Sequence, residues 1–333
     1  MQLFQVEYFV AVAETLSFTK GARRANVVQS AASAAVHRLE RELGCELFER
    51  KGRTVRLTTA GTALLPHAYA LLNEVRAARD AVDATRGVIR GEVTFGTLVH
   101  PGPIDLLKVL AQLRHEHDGV VVKLRQTIRG TASSLDEVRD GTLDLALVSS
   151  TQPSVPGVHL THLYAEPFVL IHSERHPLAA RPAVELTDTV TEAFIDFPQG
   201  WGNRGAIDAL FAEHGLDRRV RTEVVAFDMA LELVRSDLGI AFVPRSTVTD
   251  ATGIRVREVG DADVRWPVQL ARSTARSLSA AGRVVSQAVL SHVHDGRRRP
   301  GVPAAGGIRH VTAPRSCPGC PENALVASMR GMR

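Results

Sequence analysis

Residues 17–61 read SFTKGARRANVVQSAASAAVHRLERELGCELFERKGRTVRLTTAG, and this stretch decides how the front of the chain folds. Thr19 is placed to cap a short helix through Ala25, whose small residues Ala22 and Ala25 permit close packing. After the turn at 26–28 a second helix runs from about Gln29 to Leu43 and stops at Gly44, the residue best able to take left-handed backbone. Upstream, Phe4, Tyr8, Phe9, Val12 and Leu16 recur at helical spacing and predict an amphipathic helix over 3–14. Three helices with a tight turn between the second and third make a helix-turn-helix. Downstream, Leu47 and Phe48 are apolar anchors, Gly52 allows a turn, and Val55 and Leu57 alternate with charge. That pattern predicts a small β-wing carrying Arg50, Lys51, Arg53 and Arg56.

Thr58 or Thr59 then opens a long helix. Leu57, Leu64, Leu71 and Ala78 lie seven apart, as do Gly61, Ala68, Val75 and Val82, which is the spacing of a seam for a partner helix. Leu64, Ala68, Leu71, Val75, Ala78 and Val82 are therefore candidate dimerisation residues. Pro66 falls inside the helix and is expected to kink it or disturb a turn. A helix packed on its own domain is the competing reading; the charged outer face of Glu74, Arg76, Arg79 and Asp80 favours the dimer seam.

RGVIRGE, at 86–92, ends that helix, and the text changes to strand-helix alternation. VTFGT (93–97), VVVKLRQ (120–126) and LDLALVSS (143–150) read as strands separated by helices at 103–117 and 133–141. After 158–172 the pattern repeats with FIDFP (194–198), VRTEVVA (220–226) and GIAFVP (239–244) around two helices, then a strand at 266–273 and a helix at 277–293. Such alternation predicts parallel sheet covered by helices, and two α/β halves in sequence predict a ligand cleft off the strand ends. The expected division is a winged helix-turn-helix over 1–60, a linker helix over 61–90, and an α/β domain over 91–295. Its lobes are 91–161 with 266–295, and 162–265. Residues 296–333 read as a basic, disordered tail, because GVPAAGGIRHVTAPRSCPGCP has no periodicity with which to bury a core.

Composition fits two or three soluble domains: 333 residues, 44% apolar and 23% charged. No apolar run approaches the ~20 residues of a membrane span, and the N-terminus lacks the early positive charge of a secretory signal, so a cytoplasmic protein with no membrane partner is expected. The net charge of +4 is uneven: +4 over 1–90, −6 over 91–295 and +6 over 296–333, which assigns polyanion contact to the front. Three cysteines build no disulfide framework. Cys45 reads as core, and the pair Cys317 and Cys320 lacks the second pair that a four-ligand metal site needs, so neither metal nor cofactor is expected. His172 and His176, in HSERH, read as exposed loop. Walker, HExxH, GxSxG and GxGxxG signatures are missing, which argues against an enzyme.

The motifs SFT, HRLERELG, LFER and RLTTAG, in this order and at these separations, resemble the DNA-binding domain of LysR-type transcriptional regulators over about residues 2–90. GTLDLALV, HPLA and LELVRSDLGIAFVP resemble that family's effector domain, and together the likeness extends over about 1–295. It implies a multidomain α/β protein: a winged helix-turn-helix, a long linker helix and a two-lobed periplasmic-binding-protein-like effector domain. It implies double-stranded DNA bound at inverted repeats, a small-molecule effector, a homodimer or homotetramer, and contact with RNA polymerase. Gln29, Ser30, Ser33, His37 and Arg38 on the third helix are the candidate base and phosphate readers, with Arg50, Arg53 and Arg56 in the wing on phosphate or in the minor groove. The chain departs from the family pattern where Val28 replaces a capping serine, Ser30 a proline and Ala34 a polar residue, which implies a different operator sequence. In the effector domain the carried-over residues are Thr97, Leu98, His100, Thr127, Ile128, Ser149, Ser150, Gly200, Trp201, Asn203, Arg204 and Phe227. Arg129 and Arg204 are placed to hold an anionic effector's carboxylate. An α/β enzyme targeted to DNA and a ligand-independent DNA-binding assembly protein are the rival readings.

Overall fold

The structure is a computed structural model that describes residues 1–297 apart from 52, 53, 85, 87, 261 and 262. Helices α1 (Leu3–Thr15), α2 (Phe18–Arg24) and α3 (Gln29–Leu43) form the predicted helix-turn-helix. Their core is Val6, Phe9, Val10, Val12, Phe18, Val36 and Leu39, closed by Leu47 and Phe48 from the entry to the wing. Gly21 is required at the α1–α2 crossing, since a Cβ there would come within 2.8 Å of the Val12 backbone. The cap of α2 is Ser17, whose Oγ accepts from the Lys20 N–H, and not Thr19, which is the second residue of the helix. Gly44 ends α3 with φ 68°, as its place in the sequence predicts. The chain leaves the helix there, and Cys45 is exposed rather than core.

The wing is β1 (Phe48–Lys51) paired antiparallel with β2 (Thr54–Leu57). Thr58 then caps α4 (Thr59–Ala84), its Oγ accepting from the Gly61 N–H at 3.0 Å. Pro66 lies within α4 without ending it.

Beyond α4 lies a seven-stranded mixed sheet in the order β10 (Ile254–Arg257), β6 (Val158–Ser173), β11 (Arg265–Ser273), β5 (Leu145–Val148), β3 (Gly91–Thr97) and β4 (Val120–Gln126), with β9 (Ala241–Pro244) also on β6. Strands β3 (Gly91–Thr97), β4 (Val120–Gln126) and β5 (Leu145–Val148) are parallel, with α5 (Leu106–Glu116) and α6 (Gly130–Asp140) as crossovers. The expected parallel pattern fails at β11 (Arg265–Ser273), which is antiparallel to both β5 and β6 (Val158–Ser173). Residues 158–167 of β6 pair with β11, while 168–173 pair with β9 (Ala241–Pro244) and β10 (Ile254–Arg257). One continuous strand thus belongs to both lobes, so the first lobe holds β6 as far as Pro167, further than the expected limit at 161. The second lobe adds the parallel pair β7 (Ala193–Asp196) and β8 (Arg219–Glu223), with α7 (Gly202–Glu213) and α8 (Phe227–Arg235). The closing helix α9 (Ala280–Arg297) presents Ala281, Val285, Val289 and Val293 to the core at four-residue spacing.

Candidate DNA interface and effector cleft

On α3 the apolar residues Ala32, Ala35, Val36 and Leu39 face α1 and are buried. The opposite face is what remains: Gln29, Ser30, His37 and Arg38 are exposed and Ser33 is half-buried. The candidate readers therefore share one outward stripe, as helical periodicity requires. Val28 stands at the N-cap without a side-chain hydrogen bond, so the missing serine is not replaced. Arg38 Nε donates to the Ala34 carbonyl at 3.3 Å. His37 Nδ1 lies 2.8 Å from Glu40 Oε2, and buried Glu40 accepts the Leu47 N–H at 2.9 Å through its other oxygen. Glu40 was not singled out by sequence, yet it links the reading helix to the start of the wing. Arg56 is exposed on β2 opposite Glu49; the Arg50 side chain and all of Arg53 lie outside the described residues.

Between the lobes is a narrow cleft. Of the residues named from the sequence, Leu98, His100, Thr127, Ser149, Trp201, Asn203 and Phe227 line it, together with Val99, Gly130, Thr131, Gly202 and Trp266. Two helices start at its wall, α6 at Gly130 and α7 at Gly202. Their first N–H groups have no helical partner and carry partial positive charge. Gly202 admits no side chain, since a Cβ would fall 1.9 Å from the Ser149 carbonyl oxygen. Thr131 Oγ1 accepts the Ser149 N–H at 3.1 Å. Ser149 Oγ and Asn203 Nδ2 are buried and have no hydrogen-bond partner. An orphaned donor at depth costs free energy unless a bound group or water meets it. The opposite wall is aromatic: His100 stacks on Trp266 at 6.1 Å and meets Phe227 edge-on at 5.7 Å.

Several expected cleft residues go elsewhere. Arg204 is held by Asp208 at 2.9 Å, by the Phe197 carbonyl at 3.0 Å and by Glu223 at 3.3 Å, behind the cleft wall. Its neighbour Asp196 also pairs with Arg218. Arg129 points outward and pairs with Glu137 at 2.6 Å, and Ile128 is exposed. Thr97, Ser150 and Gly200 are close by without lining the cavity; Gly200 offers its carbonyl to the Ala132 N–H at 3.2 Å, bridging the lobes. His172 and His176 are both buried rather than exposed; His172, its Nδ1 2.8 Å from the Ser173 carbonyl, lies in β6, which runs on through Ser173, while Glu174, Arg175 and His176 form the turn that follows. Cys317 and Cys320 lie outside the described residues.

Residues 3–62 match the model of the bacterial regulatory helix-turn-helix protein, lysR family, and residues 86–293 match the LysR substrate binding domain. The chain belongs to the LysR family of transcriptional regulators. ShiR, an HTH-type transcriptional regulator of Corynebacterium glutamicum (strain R), is 33% identical over 250 residues, 74% of this chain and 84% of that protein. A full-length OxyR variant from Pseudomonas aeruginosa shares the fold with a TM-score of 0.68 at 22% identity, over 87% of this chain and 98% of that one. CbnR complexed with its target DNA does so with a TM-score of 0.59 at 22% identity, over 89% and 100%. This LysR-type protein is a ligand-responsive transcriptional regulator, with a helix-turn-helix DNA-binding domain and an effector-binding domain. No helix of the described residues is long and apolar enough to cross a membrane.

Along α4 the six seam residues divide. Ala68 is buried and Leu64 packed in the winged-domain core, joined there by Leu65, Tyr69 and Leu72. Tyr69 Oη also donates to Glu14 of α1 at 3.0 Å. Ala68 is therefore occupied within its own chain, because α1 covers that face. Leu71 (38% exposed), Ala78 and Val82 (56%) remain outward, with Val75 half-buried.

Proposed function

We propose that the interlobe cleft of this regulator takes a small anionic effector carrying a ring. The observation that supports this reading is the pair of unpartnered buried groups, Ser149 Oγ and Asn203 Nδ2, beside two helix N-termini. The anion would sit on the N–H groups of α6 and α7 without Arg129 or Arg204, its ring between Trp201, Phe227, Trp266 and His100. Dimers joined along the outward face of α4, through Leu71, Ala78 and Val82, place two α3 stripes on an inverted-repeat site. Exposed Leu107, Val121 and Leu124 on the first lobe, and Val225, Met229 and Leu238 on the second, support a further contact that makes a homotetramer. In this reading residues 1–60 bind DNA, 61–90 join the chains, 91–295 sense the effector, and the protein works in the cytoplasm with RNA polymerase.

A thermal-shift screen of the full chain against ring-bearing carboxylates tests the cleft. A carboxylate present at a hundred times its Kd adds about 2.7 kcal/mol to the native state. Ser149→Ala leaves the free protein as stable or slightly more so, since Ser149 Oγ has no partner to lose, and shrinks that shift. A panel in which nothing raises the midpoint, or an undiminished shift in Ser149→Ala, contradicts the assignment.

A further inference from the structure

His100 follows β3, Ser246 lies in the 3-10 turn Arg245–Thr247 after β9, and Glu166 is on β6. The three side chains form one line. His100 Nε2 is 2.9 Å from Ser246 Oγ, and Ser246 Oγ is 2.7 Å from Glu166 Oε1. The Ser246 backbone N–H occupies the other carboxylate oxygen, Oε2, at 2.7 Å. Hydrogens along this line can be counted. Burial raises the Glu166 pKa, opposed by the two hydrogen bonds from Ser246 and the charge of Arg265; as a carboxylate it has no hydrogen to give, so the hydroxyl hydrogen of Ser246 lies toward Glu166. The Ser246 oxygen is then left only to accept, and His100 Nε2 must carry a hydrogen. A neutral imidazole has one N–H, so Nδ1 is a bare acceptor. Nδ1 has no partner among the described residues, and His100 lines the cleft. The ring is kept neutral because burial lowers the His100 pKa against the pull of Asp228.

We propose that Glu166, acting through Ser246, fixes the tautomer of His100, so that its Nδ1 offers the cleft a hydrogen-bond acceptor and selects effectors bearing a hydroxyl or N–H at that end. The proposal rests on the cleft being the effector site and adds to it: the effector is a ring acid with a second, hydrogen-donating substituent away from the anion. Glu166 and Ser246 are positioning residues, which touch His100 or its partner and not the ligand.

The consequence is measurable in the ligand-free protein. In Glu166→Gln the backbone N–H of Ser246 turns the amide oxygen toward itself, which aims the amide NH₂ at Ser246 Oγ. The Ser246 hydroxyl hydrogen, no longer drawn to a carboxylate, turns to His100 Nε2, which favours moving the ring hydrogen to Nδ1. Long-range ¹H–¹⁵N spectra of the full chain with labelled histidine, His100 being assigned by the signal lost in His100→Gln, read the tautomer directly at neutral pH. The expected result is a pure Nε2–H form in the natural protein, a switch to Nδ1–H in Glu166→Gln, and a mixture in Ser246→Ala. Unchanged signals from the other histidines establish that each variant is folded. A His100 that is an imidazolium, or that keeps the Nε2–H form in both variants, overturns the proposal. Because no ligand takes part, that failure leaves the cleft reading standing, while a carboxylate screen without a shift strikes the cleft reading and with it the effector selection, and leaves the tautomer result untouched.

Discussion

At the scale of single residues, position along a helix decides what a side chain is free to do. Gln29 and Arg56 are both exposed, one at the N-terminus of α3 and the other on the wing strand, and they are predicted to fail differently. Gln29→Ala should lose about 1–3 kcal/mol on the preferred site and little on random DNA, as befits an amide reading a base edge. Arg56→Ala should weaken all sequences alike and reduce the salt slope by about one, as befits a phosphate contact. Competition titrations at two salt concentrations separate the two, and equal losses from Gln29→Ala on both DNAs would remove it as a base reader. Sequence made the α3 stripe legible, because burial of Ala32, Ala35, Val36 and Leu39 follows from a period of 3.6. It did not make Arg204 legible. Asp208 lies one turn on in the same helix, but the partners Asp196 and Glu223 come from β7 and β8, and only the parallel pairing of those strands brings them to it.

At the scale of elements, α4 serves two masters along its length. Its first part is a wall of the winged domain, and beyond it Leu71, Ala78 and Val82 stay outward, so one heptad pattern runs over a covered and an uncovered stretch. Sequence periodicity reports that a face is apolar and stays silent on which surface covers it. Leu71→Asp places a charge on the outward face, where a dimer seam would bury it without a partner at a cost of several kcal/mol. The expected outcome is a chain of reduced assembly mass in sedimentation that stays folded and binds a two-half-site DNA only weakly, since linked half-sites no longer reinforce one another. An unchanged mass with unchanged affinity would show that Leu71 lies outside any seam. The strand order was less legible than the helices, because β6 is one strand shared by two lobes and no turn residue marks where it passes from one to the other.

At the scale of the whole molecule, α6 runs from the cleft to the linker helix. Its first residues, Gly130 and Thr131, line the effector cavity, and just past its end the Gly141 carbonyl accepts from Asn73 Nδ2 of α4 at 2.8 Å. Arg276 fixes the same end through the Val138 carbonyl at 2.7 Å. An eleven-residue helix is about 16 Å of stiff rod, and we propose that it carries a ligand-driven closing of the lobes to the contact with α4 and thereby to the α3 stripes. The two-lobed body was legible from the repeated strand-helix pattern, whereas this path was not, since Asn73 and Gly141 are 68 residues apart. The central claim, that a ligand held between the lobes changes how paired α3 helices meet DNA, is tested most directly by footprinting. The full chain is footprinted on DNA it has itself enriched from random sequence, with and without a carboxylate that raises its melting midpoint. The account predicts two inverted half-sites with centres spaced by about one helical turn, ~10 base pairs, or a multiple of it, and a footprint whose extent changes when the carboxylate is added. An enriched site without inverted symmetry, or a footprint identical with and without the bound carboxylate, would contradict it.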